Sequence, residues 1–237
     1  MKISTLTQLE DAAISHGILP FFRNHIRGFS VEEMASPGML FGGNEFEGCW
    51  EWKGPVIRNR TTAYGKFFRR KAGFVNLDLL PHFLNFRHHL FPIKPDSLDE
   101  MIYEIIGIND RMTSTELRLT MNGSQKKRTA YDLPDLDFTL PDEAGKTAAM
   151  KRHVLEGPLQ RLQMGGWICI SDFRYKQTSR GERYGWGVAE YSTPESLFER
   201  ELLATPLSAE ESLEIILDYA SRSFPKATRR DLTKLLS

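Results

Sequence analysis

Between Leu155 and Tyr191 the chain changes its hydrophobic period, and few folds accommodate that change. Leu155, Leu159 and Leu162 recur at helical spacing, and Met164-Gly165-Gly166 then ends the pattern. Trp167-Ile168-Cys169-Ile170-Ser171-Asp172-Phe173 follows, dense in β-branched and aromatic residues as strands are. From Tyr184 to Tyr191 the alternation is strict: Tyr184, Trp186 and Val188 face one way, Gly185, Gly187 and Ala189 the other. The segment between, Arg174 to Arg183, holds Arg174, Lys176, Arg180 and Arg183 against Glu182, with Gly181 as the turn residue. A helix running straight into a hairpin with a long basic tip predicts a winged helix-turn-helix. The wing and the helix before it would then lie on nucleic acid. An ordinary hairpin with a solvated loop gives the same pattern, since charged loop tips are common.

The residues before the hairpin favour the first alternative. Leu98, Met101, Ile102, Ile105 and Ile106 follow amphipathic helical spacing behind Asp96-Ser97, which can cap it. A break spans Gly107 to Met112. Thr113-Ser114-Thr115-Glu116 then reads as a capping box opening a helix with Leu117 and Met121 buried. The third helix is expected over Thr147 to Met164, interrupted at Gly157-Pro158, where proline cannot donate to the carbonyl four residues back. Helix, short turn, capped helix, third helix and basic hairpin is the winged-helix order.

An offset of 115 positions lays Leu213 on Leu98, Ile216 on Met101, Leu217 on Ile102, Ala220 on Ile105, Thr228 on Thr113, Asp231 on Glu116 and Leu232 on Leu117. Caps and apolar positions coincide together, which predicts a truncated helix-turn-helix over 204–237. Two helical hairpins of similar length could also align by accident. A lone helical hairpin has too little core to stand free, so Leu213, Ile216, Leu217, Leu232 and Leu235 should be buried against the preceding domain or a second subunit. A homodimer through these helices is one such arrangement.

Residues 1–95 read as a separate, mainly helical unit. Thr5 to His16 predicts a first helix ended by Gly17, and Ser30 with Glu33 predicts the cap of a second. Trp50-Glu51-Trp52-Lys53-Gly54-Pro55 then leads into Ala63-Tyr64-Gly65-Lys66-Phe67-Phe68-Arg69-Arg70-Lys71, an aromatic and basic β element. From Trp52 to Leu77 stand Lys53, Arg58, Arg60, Lys66, Arg69, Arg70 and Lys71 without one acid, whereas Tyr131 to Gly145 is acidic without one cation. Thirty-one basic and 31 acidic residues cancel, which counts against binding by bulk electrostatics, yet segregated charge can leave a basic face on a neutral molecule. Aromatics among cations suit stacking on bases and gripping phosphates; equally, Phe67, Phe68 and Phe74 could be core with arginines reaching to solvent.

The combination of Trp50 to Pro55, Ala63 to Phe68, Lys71-Ala72-Gly73-Phe74, Leu162-Gln163-Met164 and Tyr184-Gly185-Trp186-Gly187 resembles the bacterial AlkZ-related family. The resemblance spans most of the chain. It implies a likeness to the AlkZ-type DNA glycosylases, which are built from tandem winged helices and carry a Gln-x-Gln or Gln-x-Asp signature near the N-terminus. Neither signature occurs here, and the nearest match is Gln8-Leu9-Glu10.

Other chemistry is sparse. His82, His88 and His89 crowd one stretch, but adjacent histidines cannot both face one ion on a helix, and no cofactor or metal is implied. Cys49 and Cys169 lie far apart and read as buried thiols. Gly185 and Gly187 are expected to admit Trp167 or another backbone. Glu51, between two tryptophans, is the carboxylate suited to acid/base or cation-stabilising work; exposed beside a strand, it would do neither. With no apolar run of spanning length and no leader-like start, the protein is expected in the cytoplasm.

The sequence therefore predicts an α+β protein, mainly helical. It has a helical unit over 1–95, a winged helix over 96–203 and a partial helix-turn-helix over 204–237. The expected function is duplex DNA binding through Lys53, Arg58, Arg60, Lys66, Arg69, Arg70, Lys71, Arg174, Lys176, Arg180 and Arg183. One alternative is a monofunctional glycosylase, with a carboxylate stabilising the positive sugar and Trp50, Trp52 and Tyr64 forming an aromatic pocket for the extruded base. A protein-interaction module is the other.

Overall fold

The computed structural model describes residues 2–42, 47–121, 152–181 and 183–237. The chain runs through α1 (Leu6–His16), β1 (Ile18–Pro20), α2 (Val31–Met34), α3 (Cys49–Arg58), β2 (Thr62–Phe68), β3 (Lys71–Asn76) and α4 (Leu80–Leu90). Then come α5 (Leu98–Asn109), β4 (Met112–Thr113), α6 (Ser114–Met121), α7 (Arg152–Gly165), β5 (Cys169–Gln177) and β6 (Arg183–Ser192). The short α8 (Pro194–Leu197) precedes α9 (Ala209–Ser223) and α10 (Arg229–Leu236). About half of the described residues are helical, and two small antiparallel sheets, ordered β1-β3-β2 and β4-β6-β5, complete a mixed α+β fold. No described helix is long and apolar enough to cross a membrane.

The helices begin where the sequence supplies side-chain acceptors. Thr5 caps α1, Ser30 caps α2 and Ser97 caps α5, each accepting from the amide three residues on. The box at α6 closes as expected: Thr113 Oγ1 accepts from the Glu116 amide at 3.2 Å, and Glu116 Oε2 accepts from the Thr113 amide at 2.9 Å. Ser208 and Glu211 form a second box at α9, and Thr228 caps α10. The offset of 115 carries α10 onto α6 from first residue to last.

The structure adds one helix and removes one expected break. Trp50 to Pro55 belongs to a helix, because Cys49, Lys53, Val56 and Ile57 recur at helical spacing and all four are buried. The expected break at Gly157-Pro158 is also absent. α7 continues through a buried Pro158 and forgoes only the bond to the Val154 carbonyl, on an exposed residue that water can reach. The expected start of this helix over 147–151 and the acidic run over 131–145 lie outside the described residues.

Two apolar clusters form. One gathers α1, the β1-β3-β2 sheet, α3 and α4, and takes in Ile216, Leu217, Ala220, Leu232, Leu235 and Leu236 of the last two helices. The expected burial of the tail is thus met within the chain, with Leu213 partly covered. That removes the apolar face on which the homodimer expectation rested. The other cluster joins Ile102, Ile105, Ile106, Met112, Leu117, Leu155, Leu159, Leu162 and Ile168. They meet where β5 begins: Ile168, just before the strand, turns into the second cluster and Cys169 into the first.

Arg87, at the end of α4, binds across this junction with no exposed surface. Its guanidinium donates to the Met164 carbonyl at 2.5 Å, to the Phe67 carbonyl at 2.8 Å and to the Leu236 carbonyl. Met164 and Leu236 close α7 and α10, so both carbonyls lack a helical partner and carry the negative end of a helix dipole. Phe67 lies where the β2–β3 ladder slips register. Phe83 and Phe91 flank the guanidinium. Burial lowers its pKa to about 9, still well above neutrality. Replacing Arg87 by Met should therefore cost roughly 3–5 kcal/mol, because three buried carbonyls lose their donor. Urea unfolding of the two proteins measures this; a loss under about 1 kcal/mol would show that water replaces the guanidinium.

Candidate nucleic-acid interface

α3 lies antiparallel along β5, and two polar contacts fix its register. Arg58 donates to Asp172 Oδ1 at 2.7 Å near one end, and Tyr175 Oη donates to Glu51 Oε2 near the other. Between the helix and the hairpin is a cleft of about 90 Å³, lined by Glu51, Trp52, Pro55 and Arg58 from α3 and by Tyr175 and Arg183 from the hairpin. The Arg183 guanidinium sits over the Tyr175 ring at 5.2 Å. Burial, and then the Glu51 carboxylate, push the Tyr175 phenol above its ordinary range, so it remains a donor to Glu51 at any physiological pH.

A β-bulge shapes the hairpin side. Arg174 pairs with Val188 and Lys176 with Tyr184, so two steps along β5 face four along β6. Gly185-Trp186-Gly187 thus stand opposite Tyr175 alone, two residues in excess, with Gly185 at a φ of 73°. Gly187 makes room for the rings opposite: a Cβ there would meet Tyr175 Cζ at 2.8 Å and Phe173 Cβ at 2.9 Å. The expected partner of these glycines, Trp167, instead stacks on His88 at 3.6 Å and donates to the Phe91 carbonyl. The bulge turns Trp186 outward, 72% exposed, against the edge of half-buried Trp50 at 5.8 Å.

The basic residues separate into distinct environments. Lys53 is 2% exposed, its ammonium over the Trp50 ring at 3.6 Å and the Phe173 ring at 4.4 Å, and cannot meet a phosphate. Arg60 is half-buried and donates to the Ile57 and Ser171 carbonyls at 3.2 Å. Arg174 pairs with Glu116 at 2.6 Å and with buried Glu190, which also pairs with Arg111. Lys71 donates to the Arg23 carbonyl. The side chains of Lys66, Arg69, Arg70, Lys176 and Arg180 are exposed, with no ion pair among the described residues. Arg69 and Arg70 form the β2–β3 turn at φ of 48° and 68°, a conformation glycine or asparagine usually takes.

The aromatic pocket does not assemble as expected. Tyr64 is 2% exposed and packs against Phe21, Phe74 and Phe173, and of Trp50, Trp52 and Tyr64 it is Trp52 that lines the cleft. Glu51 does face the cleft, half-buried on a helix that packs along β5. Sequence reasoning missed Tyr175 and Asp172; the signal for Tyr175 was the pair of glycines opposite, which leave space for a ring. His82, His88 and His89 stand on α4, and no metal-holding group of three occurs among the described residues. Both cysteines are buried free thiols.

A model of the AlkZ-related family matches residues 3–237. No curated protein matches the chain. Among solved structures, DNA glycosylase AlkZ from Streptomyces sahachiroi is similar at 12% identity and a TM-score of 0.43, over 99% of this chain and 65% of that one. The chain thus spans a little under two thirds of that protein's length.

Lys53 also makes the site responsive to pH. Burial lowers its pKa to about 8, against the opposing pull of Glu51. Below that value the folded protein bears the full cost of a buried charge. Between about 8 and 10.5 folded Lys53 is neutral while unfolded Lys53 stays protonated, so stability rises with pH. A Lys53→Met variant lacks this titration. The stability difference between variant and parent should shift by roughly 1–3 kcal/mol in the parent's favour from about pH 7 to about pH 10. Parallel denaturation curves at the two pH values check this, and a constant difference would show that the two rings hold the ammonium at no net cost.

Proposed function

The chain belongs to the AlkZ-related family, and from that premise we propose that it binds duplex DNA through the face built by α3 and the β5–β6 hairpin. The carrying observation is the group of exposed cations on the hairpin, Lys176, Arg180 and Arg183, with no ion pair among the described residues, beside a cleft whose other wall presents Arg58. The element order supports a winged helix over 96–203: α5, β4, α6, α7 and then a hairpin whose β6 pairs with β4. The coincidence of α10 with α6 supports a partial repeat over 204–237, packed on a first unit over 1–95.

α7 is not the reading helix in this proposal. Leu155, Leu159 and Leu162 face the second cluster, Gln163 Oε1 accepts from the Lys66 amide at 3.1 Å, and Met164 is bound by Arg87. Contacts from the hairpin and α3 would therefore fall mainly on phosphates, which position a protein without reading sequence. Arg180→Ala with Arg183→Ala should weaken binding on all duplexes alike and make the salt dependence shallower by about two units, one per lost contact. Fluorescence anisotropy across a salt series measures both. If the parent protein shows no affinity at low salt, duplex binding is ruled out.

A second reading, a glycosylase, is favoured by one observation. Glu51 stands in the cleft, held by Tyr175 and flanked by Arg58 and Arg183, where a carboxylate could stabilise a positive sugar. Against it, about 90 Å³ is smaller than the roughly 150 Å³ that encloses benzene, so a base would enter only after the hairpin moved. Glu51→Gln should abolish base release from alkylated duplex while DNA affinity persists; release that survives the substitution excludes Glu51.

A further inference from the structure

We propose that Trp186 is a stacking platform for an unpaired base, so that this face takes DNA with a nucleobase out of its pair. The inference rests on the DNA-binding reading above and specifies its ligand. Tryptophan is mostly buried in folded proteins, because its indole offers a large apolar area and few atoms that water can satisfy. Here the opposite arrangement is built into the backbone. The ladder is interrupted between Arg174 and Lys176, Gly185 takes a positive φ, and the result is an indole 72% exposed beside Trp50 of α3. Gly187 lets Tyr175 and Phe173 fill the space beneath the strand, so the indole has no cavity to fall back into.

The ring is exposed yet held. Trp50 meets it at 84°, and Lys53 lies over the Trp50 ring from within the protein, which fixes that edge. A held indole loses little freedom on binding, as a stacking surface requires. Its surroundings select the ligand class: Arg183 stands three residues before it, and Lys176 and Arg180 lie on the same hairpin without ion pairs among the described residues. Cations around an exposed aromatic complement a polyanion whose bases offer flat faces. In an intact duplex those faces are covered by their neighbours. Only an unpaired base, extrahelical or within a gap, has one to give.

Anisotropy titrations of the full chain at one salt concentration would compare a duplex with the same duplex carrying a single extrahelical adenine. The parent should prefer the second by roughly 5- to 150-fold, the range of one base–aromatic stack. Trp186→Ala should bring that ratio close to one, and Trp186→Phe should retain most of it. With 2-aminopurine as the extrahelical base, binding should quench its emission in the parent and leave it bright in Trp186→Ala. Equal affinity for both duplexes with a normal salt dependence would overturn the inference and leave the DNA-binding reading standing. Absence of binding to either would overturn both. Dimerisation in sedimentation that Trp186→Ala abolishes, without discrimination between the duplexes, would overturn the inference in favour of a protein partner.

Discussion

A buried guanidinium with no carboxylate partner among the described residues is the constraint from which much of this architecture follows. Taking a charge out of water costs several kcal/mol, and Arg87 recovers that cost only where carbonyls converge on it. Two of the three come from helix ends, which must find donors of their own. Arginine and helix ends thus resolve each other's deficit. The donors and acceptors lie on α4, β2, α7 and α10, so the first unit, the helix before the hairpin and the last helix are bound at one point. Methionine or leucine in the same space would supply packing without that convergence.

With α7 anchored, the hairpin that follows it is aimed at α3, and the cleft arises between segments more than a hundred residues apart in sequence. Arg58 with Asp172 and Glu51 with Tyr175 pin the two walls. Glu116, Arg174, Glu190 and Arg111 form a chain of pairs at the base of the hairpin. Charge needed to stiffen the base is thereby separated from charge left available toward the tip, at Lys176, Arg180 and Arg183.

Caps and periods were legible in the sequence because they act locally. Ser97, Thr113 with Glu116, and Thr228 announced their helices, and Leu98 to Ile106 announced the buried face of α5. The fate of individual cations was not legible. Lys53 and Lys176 look alike in a string of letters, yet one is enclosed by Trp50 and Phe173 and the other is in solvent. Only the long-range placement of α3 against β5 separates them. The helical nature of Trp50 to Pro55 was readable in principle from Cys49, Lys53, Val56 and Ile57, although tryptophans and a Gly-Pro pair are poor local helix signals. Tertiary burial outweighs that local weakness.

Gln163 has a consequence for the information this protein can extract from a ligand. A side-chain amide is among the few groups able to tell one base pair from another, through one acceptor and one donor used together. In Gln163 both are taken up inside the protein, the oxygen by the Lys66 amide and the nitrogen by the Leu159 carbonyl. α7 therefore serves at this position as a structural element, its amide turned inward. What remains facing outward, an indole and a set of flexible cations, responds to shape and charge density. On the DNA-binding proposal, such a surface would respond to where a polymer's regularity fails and not to its sequence.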